Sequence, residues 1–366
     1  MQYYKKELLA LKKTNRYRKR TLYNPTLKDF ASNDYLGLAH NQLLHQKAVE
    51  KLNSYTIYGA KASMLVNGYH KIHQDTEQLL AQSNGFEDAL LLGSGFNANI
   101  ALIESLVRKK DILFIDELYH ASGVLATQLQ GKEVYFFRHN DMQHLKELLA
   151  THKTTKRRLI AVEGIYSMEG DLCDKEVFEI AKKEDAILIV DEAHSSGVVG
   201  KNLLGVFDLY NINVEPNHIK MGTLGKAYGG FGAYVLASSH IIEYMINRAK
   251  PVIYATAPSL YESAKAQAAL KYILENKTQL SLEIKQRQKL VKDIFNIEIA
   301  GLIVPIVIAN NAKVLHIQQK LQEQNYSIGA IRQPTVPEAI IRIIARVGED
   351  IKEFKKVCSL VKNLSM

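Results

Sequence analysis

Short apolar runs alternate with helical stretches between about residues 70 and 237, and this alternation constrains the fold more than any other feature of the chain. The runs are Ala89–Leu92, Ile112–Ile115, Val134–Phe137, Leu159–Val162 and Ala186–Val190. A continuous apolar run is typical of a strand buried on both faces, and helices between such strands cover a mainly parallel sheet. The pattern therefore predicts an α/β fold with a mainly parallel, doubly wound sheet.

The C-terminal third continues the alternation after one longer helix. Its predicted elements are, in order, a helix over Leu260–Val291, a strand over Leu302–Ala309, a helix over Ala312–Gln324, strands near Ile328–Ile331 and Ile340–Ile344, and a helix over about Glu349–Leu364. A chain of 366 residues suits one large domain with a smaller one. We expect an N-terminal helix and arm at residues 1–40, a large domain at 41–258 and a small C-terminal α/β domain at 259–366.

Composition excludes several classes of protein. Apolar residues make up 47% and charged residues 23% of the chain, as in ordinary soluble globular proteins. No apolar run approaches the roughly 18 residues of a membrane span, and the basic segment Met1–Arg20 lacks the apolar core and cleavage site of a signal peptide. Cys173 and Cys358 lie far apart without metal-ligand spacing, so we expect no disulfide or zinc framework and a reducing, cytoplasmic location.

The formal net charge of +9 has two interpretations. It reflects either a generally lysine-rich proteome or a basic surface that attracts an acidic partner or substrate. Nucleic acid is not favoured as that partner, because the basic residues are spread along the chain, tryptophan is absent and no binding motif organises them.

A glycine-containing turn follows the first predicted strand. The segment Leu90–Asn97 reads LLLGSGFN and precedes a helical pattern at Ala98–Leu106. A turn between a strand and a helix leaves backbone N–H groups that can bind a phosphate. A turn without any ligand is the alternative.

Acidic and histidine side chains follow two further strands. The run ILIVD ends in Asp191, His194 comes three residues later, and His120 follows the strand that ends at Asp116. Because open parallel sheets bind ligands beyond the carboxyl ends of their strands, Asp191 can face a ligand nitrogen with the histidines nearby. A helix cap for Asp191 and structural hydrogen bonds for the histidines are the alternatives.

A lysine flanked by glycines, Lys226, stands in the segment Met221–Gly230, which reads MGTLGKAYGG. A nucleotide-binding P-loop is excluded, because Lys220 occupies the place of its first glycine and Ala227 replaces the Ser or Thr that binds magnesium. A buried lysine amine can lose its proton and form a Schiff base. With Asp191, the histidines and the glycine turn, the lysine completes the set of groups that a pyridoxal-5'-phosphate (PLP) site needs.

Seven segments, spread nearly from end to end, form one recognisable set. They are Ser32–Leu38 (SNDYLGL), Gly93–Phe96 (GSGF), Tyr119–Ser122 (YHAS), Glu163–Asp171 (EGIYSMEGD), Val190–His194 (VDEAH), Thr223–Lys226 (TLGK) and Ile331–Pro337 (IRQPTVP). This set resembles the α-oxoamine synthases, which are fold-type I PLP-dependent transferases. The resemblance implies an acyltransferase that joins an amino acid to an acyl thioester with loss of carbon dioxide. The first and last segments are most similar to those of members that use L-alanine and a pimeloyl thioester, carried on coenzyme A or acyl carrier protein, in biotin biosynthesis.

The resemblance also implies roles in the cofactor site. Lys226 is expected to hold PLP as a Schiff base and to move the α-proton, Asp191 to pair with the pyridinium nitrogen, and His120 to stack on the ring. Further cofactor contacts are implied for Gly95, Phe96 and Thr223 at the phosphate, for His194 and Ser167 near the ring oxygen, and for Thr256 at the phosphate of a neighbouring subunit. A homodimer with shared active sites follows from the last of these.

Substrate contacts are implied for residues nearer the two ends. Asn33 is expected to orient the amino-acid carboxylate, and Thr335 to line the path of the acyl donor. The usual Arg-x-Arg after this loop is absent, so Arg342 is the expected carboxylate ligand if a loop is shortened, with Arg346 as the alternative.

An N-terminal arginine is expected to reach a substrate carboxylate. Arg20 is the candidate chosen, with Arg16 and Arg18 as alternatives, unless all three are solvated charges. The segment Gly59–Gly68 has lost glycines that many relatives carry, so the resemblance does not specify the residues of the acyl-donor pocket.

Three other functions compete with this interpretation. Glycine C-acetyltransferase, or another α-oxoamine synthase, would share the same cofactor residues. A catalytically inactive subunit of the same fold would have lost the lysine, whereas this chain keeps Lys226, Asp191 and both histidines. A nucleotide-binding module would need the phosphate loop that is absent here.

Overall fold

The computed structural model describes residues 2–22, 24–129 and 133–365. The chain divides into two compact units: a large unit of residues 36–167 and 171–282, and a small unit of residues 1–35, 168–170 and 283–366. These limits differ from the predicted domain limits at 40 and 258, mainly because the helix Leu260–Phe295 contributes residues to both units. The domain limits themselves stay a prediction.

Strands and helices alternate along the chain as the apolar pattern predicts. The strands are β1 (Lys28–Phe30), β2 (Asp88–Leu92), β3 (Ile112–Asp116), β4 (Glu133–Phe137), β5 (Arg158–Glu163), β6 (Ile187–Asp191), β7 (His218–Thr223), β8 (Ala233–Ala237), β9 (Ile303–Val307), β10 (Tyr326–Ile331) and β11 (Ile340–Ile344). The helices are α1 (Gln2–Lys13), α2 (Gln42–Asn53), α3 (Lys71–Asn84), α4 (Gly95–Leu106), α5 (Ala121–Gln128), α6 (Met142–Thr151), α7 (Glu176–Lys183), α8 (Val206–Leu209), α9 (Ser239–Arg248), α10 (Lys250–Ile253), α11 (Leu260–Phe295), α12 (Asn311–Gln322) and α13 (Ile351–Ser365), with short helical turns at Leu38–His40 and Met64–Gly68. The five strands predicted between residues 89 and 190 are each present to within one residue at either end.

The large unit contains a seven-stranded sheet in the order β2-β8-β7-β6-β5-β3-β4. Strand β8 runs antiparallel to both neighbours, and the other paired strands are parallel. The central strands are buried almost throughout, which explains their continuous apolar sequences. The predicted α/β fold class with a mainly parallel, doubly wound sheet is confirmed.

The order of the strands creates a switch point beside β3. The chain passes from β3 outward to β4 and then returns to the other side of β3 as β5. Open α/β sheets bind ligands beyond the carboxyl ends of the strands near such a point. Register places Glu163, Asp191 and Met221 side by side at this edge, so the residues that follow β3, β5, β6 and β7 lie at one edge of the sheet.

The small unit contains a four-stranded sheet in the order β1-β10-β11-β9. Strand β1 pairs in parallel with β10, and the other pairs are antiparallel. Helix α13 buries Phe354, Val357, Cys358 and Val361, a spacing of three and four residues that forms one apolar helix face. The strands and helices predicted for the small C-terminal part are therefore present, and β1 from the N-terminal arm joins their sheet.

Two strands of the large sheet are not predicted by the apolar pattern. Strand β7 contains His218, Lys220 and Gly222, which interrupt an apolar run, although the strand is buried. Lys220 is fully buried and lies 3.6 Å from the buried carboxylate of Glu192, with a further hydrogen bond of 2.8 Å to Asn84. The charge in the middle of this strand is therefore compensated by residues distant in sequence.

Across the described residues, no helix combines the length and the apolar character needed to cross a membrane. The longest helix, α11, has 36 residues but carries charged side chains along its length.

Candidate functional site

Lys226 lies in the hairpin loop between β7 and β8. The backbone N–H of Leu224 donates to the carbonyl of Gly232 at 2.9 Å, and the N–H of Gly230 donates to the carbonyl of Leu224 at 2.8 Å. Gly229 has a φ of +65°, and a Cβ there would lie 2.3 Å from the backbone nitrogen of Ala39. Glycine is therefore required at that position by both its conformation and the close backbone approach.

The Lys226 amine is in contact with a histidine. Its Nζ lies 2.6 Å from Nε2 of His194, which is 6% exposed, and Lys226 itself is half-buried. Both residues follow neighbouring parallel strands, so sheet register explains why they meet. Two residues predicted from separate motifs are thus brought together.

Asp191 ends β6, and its carboxylate is held by two hydrogen bonds. Oδ1 accepts from the N–H of Ala193 at 2.9 Å, and Oδ2 accepts from Nδ2 of Asn99 at 2.8 Å. Asp191 and Asn99 are 3% and 1% exposed, respectively. The amide of Asn99 is oriented in turn by Tyr119, whose hydroxyl donates to Oδ1 of Asn99 at 2.7 Å. Asn99 was missed at the level of sequence because it stands inside the otherwise apolar helix α4.

His120 connects to the same network. It caps the start of α5, and its Nδ1 lies 2.6 Å from Oγ of Ser122, to which Nδ2 of Asn99 also donates at 3.1 Å. Burial lowers the pKa of His120; the charge of Asp191 opposes this shift and that of Lys226 adds to it. A lowered pKa favours the neutral imidazole near pH 7, which suits a ring that stacks on a cofactor.

The glycine turn begins helix α4. Ser94 caps the helix by accepting from the N–H of Asn97 at 3.2 Å, and Gly95 and Phe96 are its first residues, whose N–H groups point away from the helix body. A Cβ built on Gly95 would lie 3.9 Å from Cβ of Thr223, so Thr223 stands beside this helix start. Backbone N–H groups at the positive end of a helix can bind an anion, which is consistent with the predicted phosphate contacts of Gly95, Phe96 and Thr223.

Two further predicted cofactor residues lie on loops, Ser167 after β5 and Thr256 after α10. Ser167 is partly buried in the loop after β5, between Ile165 and Leu172, which pair as an antiparallel bridge. Thr256 follows α10 and is exposed. The cofactor roles of Ser167 and Thr256, like those of the other site residues, stay predictions.

The small unit holds the predicted carboxylate ligands. Nη1 of Arg342, which is 6% exposed on β11, donates to Oδ1 of Asn33 at 2.9 Å. The alternative, Arg346, is committed to ion pairs with Asp34 at 2.6 Å and Glu349 at 3.1 Å. Arg346 is thus held in ion pairs within the small unit, and a carboxylate-binding role for Arg342 stays a prediction.

The N-terminal arginines occupy different places in the small unit. Nη2 of Arg18 donates to Oγ1 of Thr335 at 3.0 Å, and a cavity of about 240 Å³ is lined by Arg16, Arg18, Arg332 and Thr335. Arg20, the candidate chosen from the sequence, is exposed and is not among the residues that line this cavity. The structure thus places Arg18 rather than Arg20 beside Thr335, and three guanidinium groups make the cavity suitable for an anion.

The chain is similar to known proteins over nearly its whole length. Residues 25–360 match the family described as Aminotransferase class I and II. The 8-amino-7-oxononanoate synthase of Helicobacter pylori strain J99 is 41% identical over 363 residues, covering 99% of this chain and 97% of that protein.

Solved structures agree with this match. The 8-amino-7-oxononanoate synthase of Francisella tularensis is similar with a TM-score of 0.77 and 27% identity, covering 93% of this chain and 98% of that one. A serine palmitoyltransferase from S. paucimobilis with bound PLP–myriocin has a TM-score of 0.88 and 21% identity, covering 99% of this chain and 96% of that one. At that identity the second likeness shows the fold alone.

Proposed function

The chain belongs to the aminotransferase class I and II family, and we propose that it catalyses the reaction of the 8-amino-7-oxononanoate synthases. In this reaction L-alanine is joined to a pimeloyl thioester with loss of carbon dioxide, a step of biotin biosynthesis. Because its relatives are α-oxoamine synthases, the predictions of this family and of a PLP-dependent acyltransferase are confirmed. The observation that carries the proposed reaction is the assembly of Lys226, His194, Asp191 and His120 at one edge of the sheet.

The described residues fit PLP as the cofactor. The start of α4 with Thr223 offers an anion site for the phosphate, Asp191 offers a fixed carboxylate for the ring nitrogen, and Lys226 offers a primary amine. When bound, PLP supplies an electron sink that stabilises negative charge on the α-carbon of an amino acid.

The chain's own groups then have separate tasks. Asp191 keeps a proton on the ring nitrogen, because its carboxylate is oriented by Asn99 and by the backbone N–H of Ala193. The amine of Lys226 holds the cofactor and afterwards moves the α-proton of alanine at Nζ. Its neighbour His194 fixes the position of that nitrogen at 2.6 Å.

The acyl donor is proposed to be the thioester of pimelate on coenzyme A or on acyl carrier protein. The cavity lined by Arg16, Arg18 and Arg332 supports this choice, because guanidinium groups bind carboxylates and phosphates. An acidic carrier protein would also be attracted by the net charge of +9.

A homodimer in the cytoplasm is also proposed. A homodimer with shared sites is supported by the exposure of Thr256, whose expected role lies in a neighbouring subunit. A cytoplasmic location is supported by Cys173 and Cys358, which are both free and buried.

The function is tested with purified protein loaded with PLP. Pimeloyl-CoA and a pimeloyl carrier protein are each supplied with L-alanine, and product is followed by mass spectrometry. The proposal requires 8-amino-7-oxononanoate from alanine, at least about tenfold faster than any product from glycine or serine. A protein that accepts glycine with acetyl-CoA and rejects alanine would instead be a glycine C-acetyltransferase.

A further inference from the structure

His139, in the loop after β4, has a carboxylate at each of its ring nitrogens. Nδ1 lies 3.1 Å from Oδ1 of Asp116, and Nε2 lies 3.0 Å from Oδ2 of Asp171. A neutral imidazole can donate from only one nitrogen, so two ionised acceptors require the doubly protonated ring. Burial lowers the pKa of His139, but the hydrogen bonds and charges of Asp116 and Asp171 outweigh it and raise that pKa to about 10.

Asp116 connects this cation to the loop after β3. It is fully buried at the end of that strand. Its Oδ1 also accepts from the N–H of Leu118 at 2.9 Å, and its carbonyl accepts from the N–H of Tyr119 at 3.0 Å. Oδ2 accepts from the N–H of Asn140 at 3.0 Å. The turn that leads into His120 is therefore fastened through Asp116.

Asp171 connects the same cation to the loop after β5. Its backbone carbonyl accepts from the N–H of Tyr166 at 3.0 Å, and Oδ2 also accepts from Nδ2 of Asn140 at 2.8 Å. The Tyr166 ring packs edge-on against the His139 ring, with centroids 4.3 Å apart and an interplanar angle of 85°. Ser167 is the next residue in this loop.

These contacts lie at the switch point of the sheet. The loops after β3 and β5 follow adjacent strands and carry side chains assigned to the cofactor site, whereas the loop after β4 carries none. Tyr119, in the loop after β3, donates a hydrogen bond of 2.7 Å to Asn99, and Asn99 donates one of 2.8 Å to Asp191. The position of this loop therefore affects the position of the Asp191 carboxylate. A shift of Asp116 would therefore reach the carboxylate that faces the cofactor nitrogen.

We propose that His139 is a positioning residue for the cofactor site, whose imidazolium, held between Asp116 and Asp171, fixes the loop of Tyr119 and His120 relative to the loop of Ser167. The inference rests on the proposed function, because it presumes that PLP binds at this edge of the sheet. His139 itself takes no part in the chemistry. Its contribution is to hold ring-contacting groups in one arrangement.

The test compares His139→Gln with the wild-type protein in two readouts on the cofactor itself. These are the affinity of the apo protein for PLP and the visible circular dichroism of the bound cofactor, which reports the asymmetry of its surroundings. We expect about tenfold weaker PLP binding and a clearly reduced dichroic band. His139→Arg, which retains a cation able to reach both carboxylates, should recover part of each signal.

Two further variants keep the test decisive. Asp171→Asn changes a side chain that is 44% exposed and should alter the same readouts in the same direction, even if His139→Gln fails to fold. His152→Gln is the matched control, because the His152 ring stacks on Tyr135 with ring centroids 3.6 Å apart and does not lie between Asp116 and Asp171.

The outcomes separate the inference from the proposed function. Wild-type apo protein that binds no PLP would overturn the proposed function and this inference with it. If wild-type protein binds PLP and the His139 and Asp171 variants keep its affinity and dichroic band, only the inference is wrong. If the His139 variant has a lowered thermal midpoint but unchanged PLP affinity and dichroic band, His139 stabilises the fold without positioning the cofactor site, and the inference is again wrong.

Discussion

The side-chain nitrogen of Asn99 lies 2.8 Å from Oδ2 of Asp191, and both residues are almost completely buried. Asn99→Ala would leave the carboxylate oxygen and the hydroxyl of Tyr119 without this partner. We expect a loss of about 1–3 kcal/mol in the free energy of unfolding and weaker PLP binding. Denaturant unfolding of the apo protein and PLP titration measure the two effects. Asn247→Ala, an exposed position on α9, is the control and should change neither.

Lys226 is expected to be indispensable for activity but not for folding. Lys226→Ala removes the amine that lies against His194, so product formation should fall by about a thousandfold or more. The thermal midpoint of the apo protein should stay close to that of wild type, because the side chain is only half-buried. Lys201→Ala, an exposed change in the same unit, should retain full activity. Retention of the wild-type rate by Lys226→Ala would contradict the proposed function.

The raised pKa of His139 predicts how stability depends on pH. A group whose pKa is about 10 in the folded protein and about 6.5 when unfolded stabilises the fold fully below pH 6.5. That contribution declines between pH 6.5 and 10 and is lost above pH 10. The wild-type protein should therefore exceed His139→Gln in stability by on the order of 3 kcal/mol near pH 6, with the gap closing toward pH 10. A gap that widens with rising pH would show that the ring is not protonated.

Glu77 predicts a loss of stability with rising pH in a lower pH range than His139. Burial raises its pKa to about 7, although Tyr69 and the N–H of Leu91 donate to it at 2.6 and 2.9 Å. Because an acid with a raised pKa resists ionisation, the fold loses stability from this site as pH rises from about 4.5 to 7. Glu77→Gln keeps an acceptor and removes the charge, so it should gain in stability relative to wild type between pH 5 and pH 8. Urea unfolding at these two pH values measures the difference, and equal differences at both would refute the raised pKa.

The cavity beside Thr335 is lined by Arg18, an alternative in the sequence analysis, and not by Arg20, the candidate chosen there. Arg18→Ala should raise the KM for the pimeloyl thioester by about tenfold with little change in the KM for alanine, because it removes one guanidinium from the anion site. Arg20→Ala should have little effect, since Arg20 is exposed and does not line the cavity. If Arg20→Ala were the more damaging change, the choice made from the sequence would be restored.

Site residues at the ends of strands could be predicted, because the last residue of an apolar run marks the end of its strand. Asp191 and His120 are predictable in this way, and Lys226 is predictable because it stands between glycines in a segment whose Lys220 and Ala227 exclude a P-loop. Strand β7 escaped the pattern because Lys220 interrupts it, and only the folded chain brings Glu192 to within 3.6 Å of that lysine. Strand β8 also lacked a prediction, although its residues are all buried.

The contacts of His139 with Asp116 and Asp171 could not be predicted from the sequence either. Asp116 and Asp171 are separated from His139 by 23 and 32 residues, and nothing in the local sequence of any of the three distinguishes a paired side chain from a solvated one. Asn99 is similar, since an asparagine within an apolar helix gives no sign of the carboxylate it meets. Side-chain partners joined across loops depend on register and loop conformation, which residue patterns alone do not specify.

The hairpin that carries Lys226 is tied at both of its ends, by the pairing of Thr223 with Ala233 and by the hydrogen bond from Leu224 to Gly232. Its backbone is further restricted where Gly229 touches the main chain at Leu38. The backbone of Lys226 is therefore held in place, whereas its side chain can still rotate. Rotation about the side-chain bonds alone can move Nζ. This movement requires no loop to open or close, and side-chain rotations of this kind take picoseconds to nanoseconds, whereas backbone rearrangements are slower.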